Sequence, residues 1–349
     1  METKIVRMTE GHIDGALISE AGDIIRAGGL VAFPTETVYG LGGDALNPMS
    51  SRKIYAAKGR PSDNPLIVHI ADMSALSPIV CRIPEQAYRL AERFWPGPLT
   101  MIMNKSDRVP YETTGGLDTV AVRMPVHPVA RELIRAAGGY VAAPSANRSG
   151  RPSPTIAKYV AEDLAGRVEM IIDGGDVKIG LESTIVDLTA DRPVILRPGY
   201  ITRQKLEEVL MDVEEDVTLL KDDPGQAPKA PGMKYRHYAP QGDLTIVRGP
   251  EDKVVAYING QCRLYQKENK KTGVICTDAT SGKYCADVCR NAGCREDEET
   301  IARELFRILR EFDDECVEII YAEAFDDSGL GRAIMNRLFK AAGHKMVDV

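Results

Sequence analysis

The chain has 349 residues, 44 basic against 51 acidic side chains for a formal net charge of −7, and 44% hydrophobic residues. That length suits about two domains of roughly 100–200 residues each, and the acidic balance argues against a protein whose main task is gripping phosphate backbones. No run approaches the ~18 uninterrupted apolar residues of a membrane span and the first residues lack a leader pattern, so a cytoplasmic protein without membrane contact is expected.

In chain order, short apolar runs at 30–33, 66–70, 99–103, 119–122, 140–143, 170–172, 184–188 and 194–196 read as strands, and 85–94, 128–137 and 156–164 carry apolar residues at helical spacing. This predicts an α/β domain over 1–211 built on an extended mixed sheet. Residues 212–242 break the pattern with Pro224, Pro228, Pro231 and Pro240, a density that resists helix and central strand and marks a linker. Its Met233-Lys234-Tyr235-Arg236-His237-Tyr238 stretch is too aromatic and basic for a passive spacer. From 243 to 349, strands at 244–247, 273–276 and 317–321 alternate with helices at 251–257, 298–312 and 331–342, which predicts a smaller parallel sheet of Rossmann-like type.

Seven cysteines without regular spacing make a poor disulfide framework. Cys285, Cys289 and Cys294 crowd one segment, but no His lies nearby and paired Cys-x-x-Cys knuckles are missing, so reduced structural thiols are favoured over a metal centre.

Candidate chemistry gathers just beyond strand ends of the first domain. The strand at 30–33 stops at Pro34 and then presents Thr35, Glu36 and Thr37 before a glycine-rich turn, groups able to bind a small polar ligand. Lys58 and Arg60, flanked by Gly59 and prolines, form a pair of cations suited to phosphate oxygens. Strand alternation gives His69 the face of Ile67, either as a core-edge histidine or as a ligand contact. The small, polar stretch Pro144–Thr155 allows close approach to the backbone, and Ser153 before Pro154 reads as a helix N-cap followed by the first helical residue. Arg123, Ser183 and Arg197 complete the set at other strand ends. Nucleophile-elbow, zinc-protease, kinase and Walker motifs are lacking, which favours a reaction driven by positioning and charge stabilisation.

At these residues the sequence resembles a known family. Pro34-Thr35-Glu36-Thr37-Val38-Tyr39-Gly40-Leu41, Lys58-x-Arg60-Pro61 with Asn64-Pro65-Leu66, Trp95-Pro96-Gly97-Pro98-Leu99-Thr100, Val122-Arg123-Met124-Pro125 and Pro144-Ser145-Ala146-Asn147 are similar to the YrdC-type threonylcarbamoyl-AMP synthases. The segment from Pro231 to Pro240 and the second domain resemble the longer, two-domain form. The resemblance implies a twisted mixed sheet with a central cleft, and a nucleotidyltransferase that joins L-threonine, bicarbonate or CO2, and ATP into L-threonylcarbamoyl-AMP with release of pyrophosphate. Mg²⁺ would arrive with ATP, with no dedicated protein site, and the product would pass to the machinery that modifies tRNA.

By resemblance, Thr35, His69, Arg123 and Ser183 surround threonine, with Arg123 facing its carboxylate. Lys58, Arg60, Ser62, Thr119, Ser145, Asn147, Ser153 and Arg197 hold the nucleotide, Lys58 and Arg60 acting on the reacting phosphates. Tyr235, Arg236 and His237 would fold back as a lid, Tyr235 and His237 meeting ATP. Two alternatives are an RNA-binding module and a related carbamoyl-adenylate-forming enzyme of hydrogenase maturation. Residues 243–349 carry 16 basic and 20 acidic side chains and the rest of the chain 28 and 31, so neither part is a basic platform for stable nucleic-acid binding. The second alternative is disfavoured because the acylphosphatase-like and zinc-finger segments expected there are lacking.

Overall fold

The structure is a computed structural model that describes residues 1–216, 230 and 237–349. It divides into two compact units, one holding Met1–Ser149 and the chain from Ser153 as far as the linker, the other holding Gly150–Pro152 and the chain from the linker to Val349. The tripeptide Gly150–Pro152 thus interrupts the first unit's chain, a division that the boundaries 1–211, 212–242 and 243–349 do not contain.

In the first unit the chain runs through β1 (Lys4–Arg7), α1 (Gly15–Arg26), β2 (Val31–Phe33), β3 (Gly40–Asp44), α2 (Pro48–Lys58) and β4 (Ile67–His69). It continues through α3 (Glu85–Phe94), β5 (Leu99–Asn104), α4 (Tyr111–Thr114), β6 (Thr119–Arg123), α5 (Pro128–Ala136), β7 (Val141–Ala142) and α6 (Ala157–Leu164). Then come β8 (Met170–Asp173), β9 (Thr184–Asp187), β10 (Val194–Arg197), α7 (Arg203–Leu210) and β11 (Glu214–Glu215). Local chemistry starts the helices. Asp14 caps α1 by accepting the amides of Ala16 and Leu17, and Asn47 caps α2 ahead of Pro48 at its first turn. The predicted cap Ser153 is not one: α6 begins at Ala157 behind Ile156, whose side chain makes no capping bond.

The strands form one mixed sheet in the order β1-β8-β2-β3-β7-β4-β6-β5-β9-β10-β11. Every predicted run becomes one of its strands; β1, β3 and β11 are additions that the apolar pattern did not mark. Two apolar layers build the core. Phe33, Val31, Val141, Met170 and Ile172 pack with α1 and α5 residues such as Ile25, Leu133 and Ile134. On the opposite face Val68, Val122, Met101, Val186 and Ile195 pack with Ile54, Leu90, Leu164 and Leu206 from α2, α3, α6 and α7.

A third cluster is different in kind. Ile67, Ile102, Ala121, Ile185 and Leu196, one each from β4, β5, β6, β9 and β10, are joined, among the described residues, by Ala230 of the linker and by no residue of a helix. Strand alternation puts His69 and Arg123 on this same face, next to Ile67 and Ala121. The face is therefore a buried sheet floor that the unit's described helices do not cover.

The second unit holds β12 (Asp243–Arg248), α8 (Glu251–Lys267), β13 (Thr272–Cys276), β14 (Val288–Asn291), α9 (Glu298–Asp314), β15 (Ile319–Glu323), α10 (Gly331–Ala341) and β16 (Met346–Asp348). Its sheet runs β14-β13-β15-β12-β16, every pairing parallel. Near-continuous burial of Val274, Ile275, Ile320 and Ala322 is what a parallel sheet covered on both faces requires. Cys285 and Cys289 pack against its core beside Cys262 and Cys276, and all seven thiols are free.

Gly199, after β10, approaches the chain just before β9 so closely that a Cβ there would lie 2.5 Å from the Thr184 amide nitrogen and 2.9 Å from the Glu182 carbonyl oxygen. Gly199→Ala should therefore push the Glu182–Thr184 segment off its floor position and lower stability by about 1–3 kcal/mol. An unchanged urea midpoint would contradict this close packing.

Candidate active site

The floor brings together residues far apart in sequence because neighbouring strands end side by side. His69 on β4 is in register with Arg123 on β6, which is in register with Thr100 on β5. Thr100 in turn neighbours Ile185 on β9, and Ile185 faces Arg197 on β10. Three of the sequence-predicted residues, His69, Arg123 and Arg197, thus line up across five strands, and Ser183 directly precedes β9.

Arg123 is the centre of this row. Its guanidinium donates to Glu36 Oε1 at 2.6 Å and to Thr37 Oγ1 at 2.9 Å, and both side chains of the ion pair are about 95% buried (5% and 4% exposed). The hydroxyls continue in one direction: Thr37 and Thr35 lie 2.9 Å apart, and Thr35 Oγ1 donates to the Val38 carbonyl at 2.6 Å. Thr35 also accepts from the amides of Thr37 and Val38, so its hydroxyl is committed to shaping the Pro34–Tyr39 turn. Two buried atoms in this group have no hydrogen-bonding partner among the described residues, Glu36 Oε2 and Arg123 Nε. Buried polar groups are rarely left so, and a bound polar molecule is one way to satisfy them.

His69 is buried beside Arg123, with Nδ1 3.1 Å from the Ile67 carbonyl and its ring edge-on to Phe33. Burial, and secondarily the Arg123 charge, push its pKa down to about 3. At neutral pH it is an uncharged imidazole. Ser183 Oγ lies 2.8 Å from Thr100 Oγ1, and Arg197 donates to both the Ser183 carbonyl at 3.0 Å and its hydroxyl at 3.2 Å.

A second group forms at the end of α2. Gly59 adopts φ +63° and closes the helix, a conformation glycine takes without strain, and Arg60 returns its amide to the Tyr55 carbonyl. Lys58 is consequently a buried last-turn residue rather than part of an exposed loop. Its ammonium donates to the Asn147 carbonyl at 2.5 Å and Oδ1 at 3.4 Å, and to the Ser145 carbonyl. Ser145 Oγ donates to Asn147 Oδ1 at 2.6 Å. Lys58, Ser145 and Asn147 are therefore one assembly.

Arg60 turns instead to the carbonyls of Asn64 and Pro65, at 3.3 and 3.1 Å. Ser62 is exposed and Thr119 half-buried at the far end of β6, on the face of Arg123. Ser153 donates to the buried Glu182 carboxylate at 2.6 Å. The His237 ring lies 5.5 Å from that of Tyr238, tilted by 40°, within the second unit, while Tyr235 and Arg236 lie outside the described residues.

Glu36, Thr37, Thr100 and Glu182 are the residues that sequence reasoning did not assign to the site. Glu36 and Thr37 stood in the motif already singled out, so their position was the available signal; Thr100 and Glu182 became visible only through strand register and the fold of the 182–184 segment.

Comparison with known proteins follows the same outline. A family model described as "Telomere recombination", covering the Sua5, YciO and YrdC proteins, matches residues 23–199, and one described as "Threonylcarbamoyl-AMP synthase, C-terminal domain" matches residues 201–343. The threonylcarbamoyl-AMP synthase of Pyrococcus abyssi is 49% identical over 99% of this chain and 100% of its own. That of Bacillus subtilis is 49% identical over 95% of this chain and 94% of its own. A crystal structure of P. abyssi Sua5 complexed with L-threonine superposes with a TM-score of 0.94 at 48% identity, covering 99% of this chain and all of that one. With both of its parts matched in order and at this identity over nearly its whole length, the chain belongs to the threonylcarbamoyl-AMP synthase family, in the two-domain form.

Proposed function

We propose that this chain condenses L-threonine, bicarbonate or CO2, and ATP into L-threonylcarbamoyl-AMP and pyrophosphate, the adenylate then serving the threonylcarbamoyl transfer to tRNA. The observation that carries this reading is the buried Arg123 guanidinium, held by Glu36 and Thr37 on the sheet floor between His69 and Ser183. A fixed fork of donors in a dry site suits a carboxylate, and the chain's place in the family names the amino acid.

In this reading threonine lies against Thr35, His69, Arg123 and Ser183. Its amine combines with bicarbonate, losing water, to give a carbamate. A carbamate oxygen then attacks the α-phosphorus of ATP while the bond to pyrophosphate breaks on the opposite side. No protein nucleophile is needed. What the protein supplies is orientation and positive charge where charge accumulates. Lys58 and Arg60 face the phosphates, with Ser62, Thr119, Ser145, Asn147, Ser153 and Arg197 around the nucleotide.

Among the described residues no group of three or more His, Cys, Asp or Glu side chains is disposed to hold a metal ion. Mg²⁺ is proposed to enter with the ATP triphosphate, as part of the substrate, where it would offset the charge of the departing pyrophosphate.

The linker is proposed to act as a lid, Tyr235 and His237 meeting the nucleotide. Ala230, fully buried against the cleft-floor residues Ile67, Ala121 and Ile185, supports that direction of travel. A lid of this kind would keep water from a labile adenylate. We place the enzyme in the cytoplasm; no helix among the described residues is long and apolar enough to cross a membrane.

Pyrophosphate release should require ATP, L-threonine and bicarbonate together, and Lys58→Ala should lower it by about 100-fold or more, the scale of losing one preorganised charge at a transferring group. Release that ignores threonine, or that survives intact in Lys58→Ala, would sink the assignment. A second outcome concerns protonation. Because the folded-state pKa of His69 lies below that of the free side chain, this group contributes stability above about pH 6.5 that fades as pH falls towards about 3. By NMR its ring carbon shifts should stay flat between pH 5 and 8; a titration near 6.5 would contradict the buried neutral imidazole.

A further inference from the structure

One face of α9 carries Phe306, Arg310 and Asp313, and between them they hold two other segments. Arg310 is 1% exposed, yet its Nε and Nη2 both donate to the Pro152 carbonyl, at 3.0 and 2.7 Å. Asp313 accepts the Gln241 amide at 2.7 Å and pairs with Arg151 at 3.5 Å. The Phe306 ring lies 5.0 Å from that of Tyr238, and the Ala239 amide donates to the Gly150 carbonyl at 2.9 Å. The end of the linker and the tripeptide Gly150–Pro152 are therefore fastened to the same helix face.

A guanidinium taken out of water is costly unless its donors are used. Spending two of them on one carbonyl fixes that carbonyl in place. Pro152 is peptide-bonded to Ser153, and the next carbonyl but one, that of Pro154, accepts the Tyr39 amide at 3.0 Å. Ser153 is thus strung between two anchored prolines whose rings restrict the intervening backbone. On the other side, Ser149 returns its amide to the Lys58 carbonyl at 2.8 Å, two residues beyond Asn147.

We propose that Arg310 is a positioning residue for nucleotide binding: through the Pro152 carbonyl it sets the Asn147–Ser153 loop, and so contributes to ATP affinity without itself touching ATP. This rests on the nucleotide reading of Asn147 and Ser153.

The test uses the full chain and the probe α,β-methylene-ATP, with L-threonine as the control ligand. Titration calorimetry should show Arg310→Met binding the analogue about tenfold more weakly, the loss of a charged donor pair, with threonine affinity within about twofold of wild type. Arg310→Lys, which keeps the charge and one bond, should fall between and serves alone if the Met variant does not fold. Hydrogen exchange at the amides of Ser149, Arg151 and Ser153 should quicken in both variants. Unchanged analogue affinity, or equal loss for both ligands, would overturn the proposal. Should the wild type itself not bind the analogue, the nucleotide reading fails, whereas the clamp is judged by exchange alone and unchanged protection at those amides overturns it.

Discussion

A buried ion pair in the middle of a sheet face must be matched on every side or it destabilises the fold. Removing one partner of such a pair costs about 3–5 kcal/mol, because the other is left charged in a medium that solvates it poorly. Arg123 and Glu36 set that condition here. The turn from Pro34 to Tyr39 is shaped by its own hydroxyls so that Glu36 and Thr37 reach the guanidinium, and the backbone amides of Ile179 and Gly180 secure the turn at the Glu36 and Thr37 carbonyls. One edge of Arg123 is consumed by these contacts. The cation is therefore aimed before any ligand arrives, which is what makes it useful to a reaction that depends on orientation.

The sheet supplies the rest by topology. Helices α1 and α5 cover the part of its face that includes Phe33, and the floor of Ile67, Ile102, Ala121, Ile185 and Leu196 is met by Ala230 in place of a helix. Reactive groups can then be borne on strands, whose positions are fixed by the ladder, instead of on loops. Lys58 achieves the same fixity from a helix end, where a cation is favoured by the helix dipole and where Gly59 turns the chain away. In the second unit, Arg310 and Asp313 apply the same device to Pro152 and Arg151.

How much of this could be read from residues alone depends on whether the signal is local. Helix α3 spans the predicted 85–94 because its apolar stripe lies within those ten residues and prolines flank it at 84 and 96. The strand runs were legible for the same reason. Strand β3 was not: Gly-Leu-Gly-Gly-Asp has little strand propensity, and it pairs because glycines let it pass close under Phe33 and Val141. Ser153 carried a convincing capping signature, yet Glu182, 29 residues later, competes for its hydroxyl and the helix starts further on. The pairing of Glu36 with Arg123 spans 87 residues and has no local trace at all: each residue stands out in its own motif, and only the folded turn between β2 and β3 brings the carboxylate to the guanidinium at the end of β6.

If the held guanidinium is the anchor for the amino acid, the anchor's own support should matter to that ligand and not to the other. Glu36→Gln keeps the shape and one hydrogen-bond acceptor while removing the charge that fixes Arg123. Calorimetric titration of this variant with L-threonine and, separately, with α,β-methylene-ATP addresses the point directly. The account predicts threonine affinity lower by about tenfold or more with analogue affinity within about twofold of wild type; threonine binding unchanged in Glu36→Gln would contradict it.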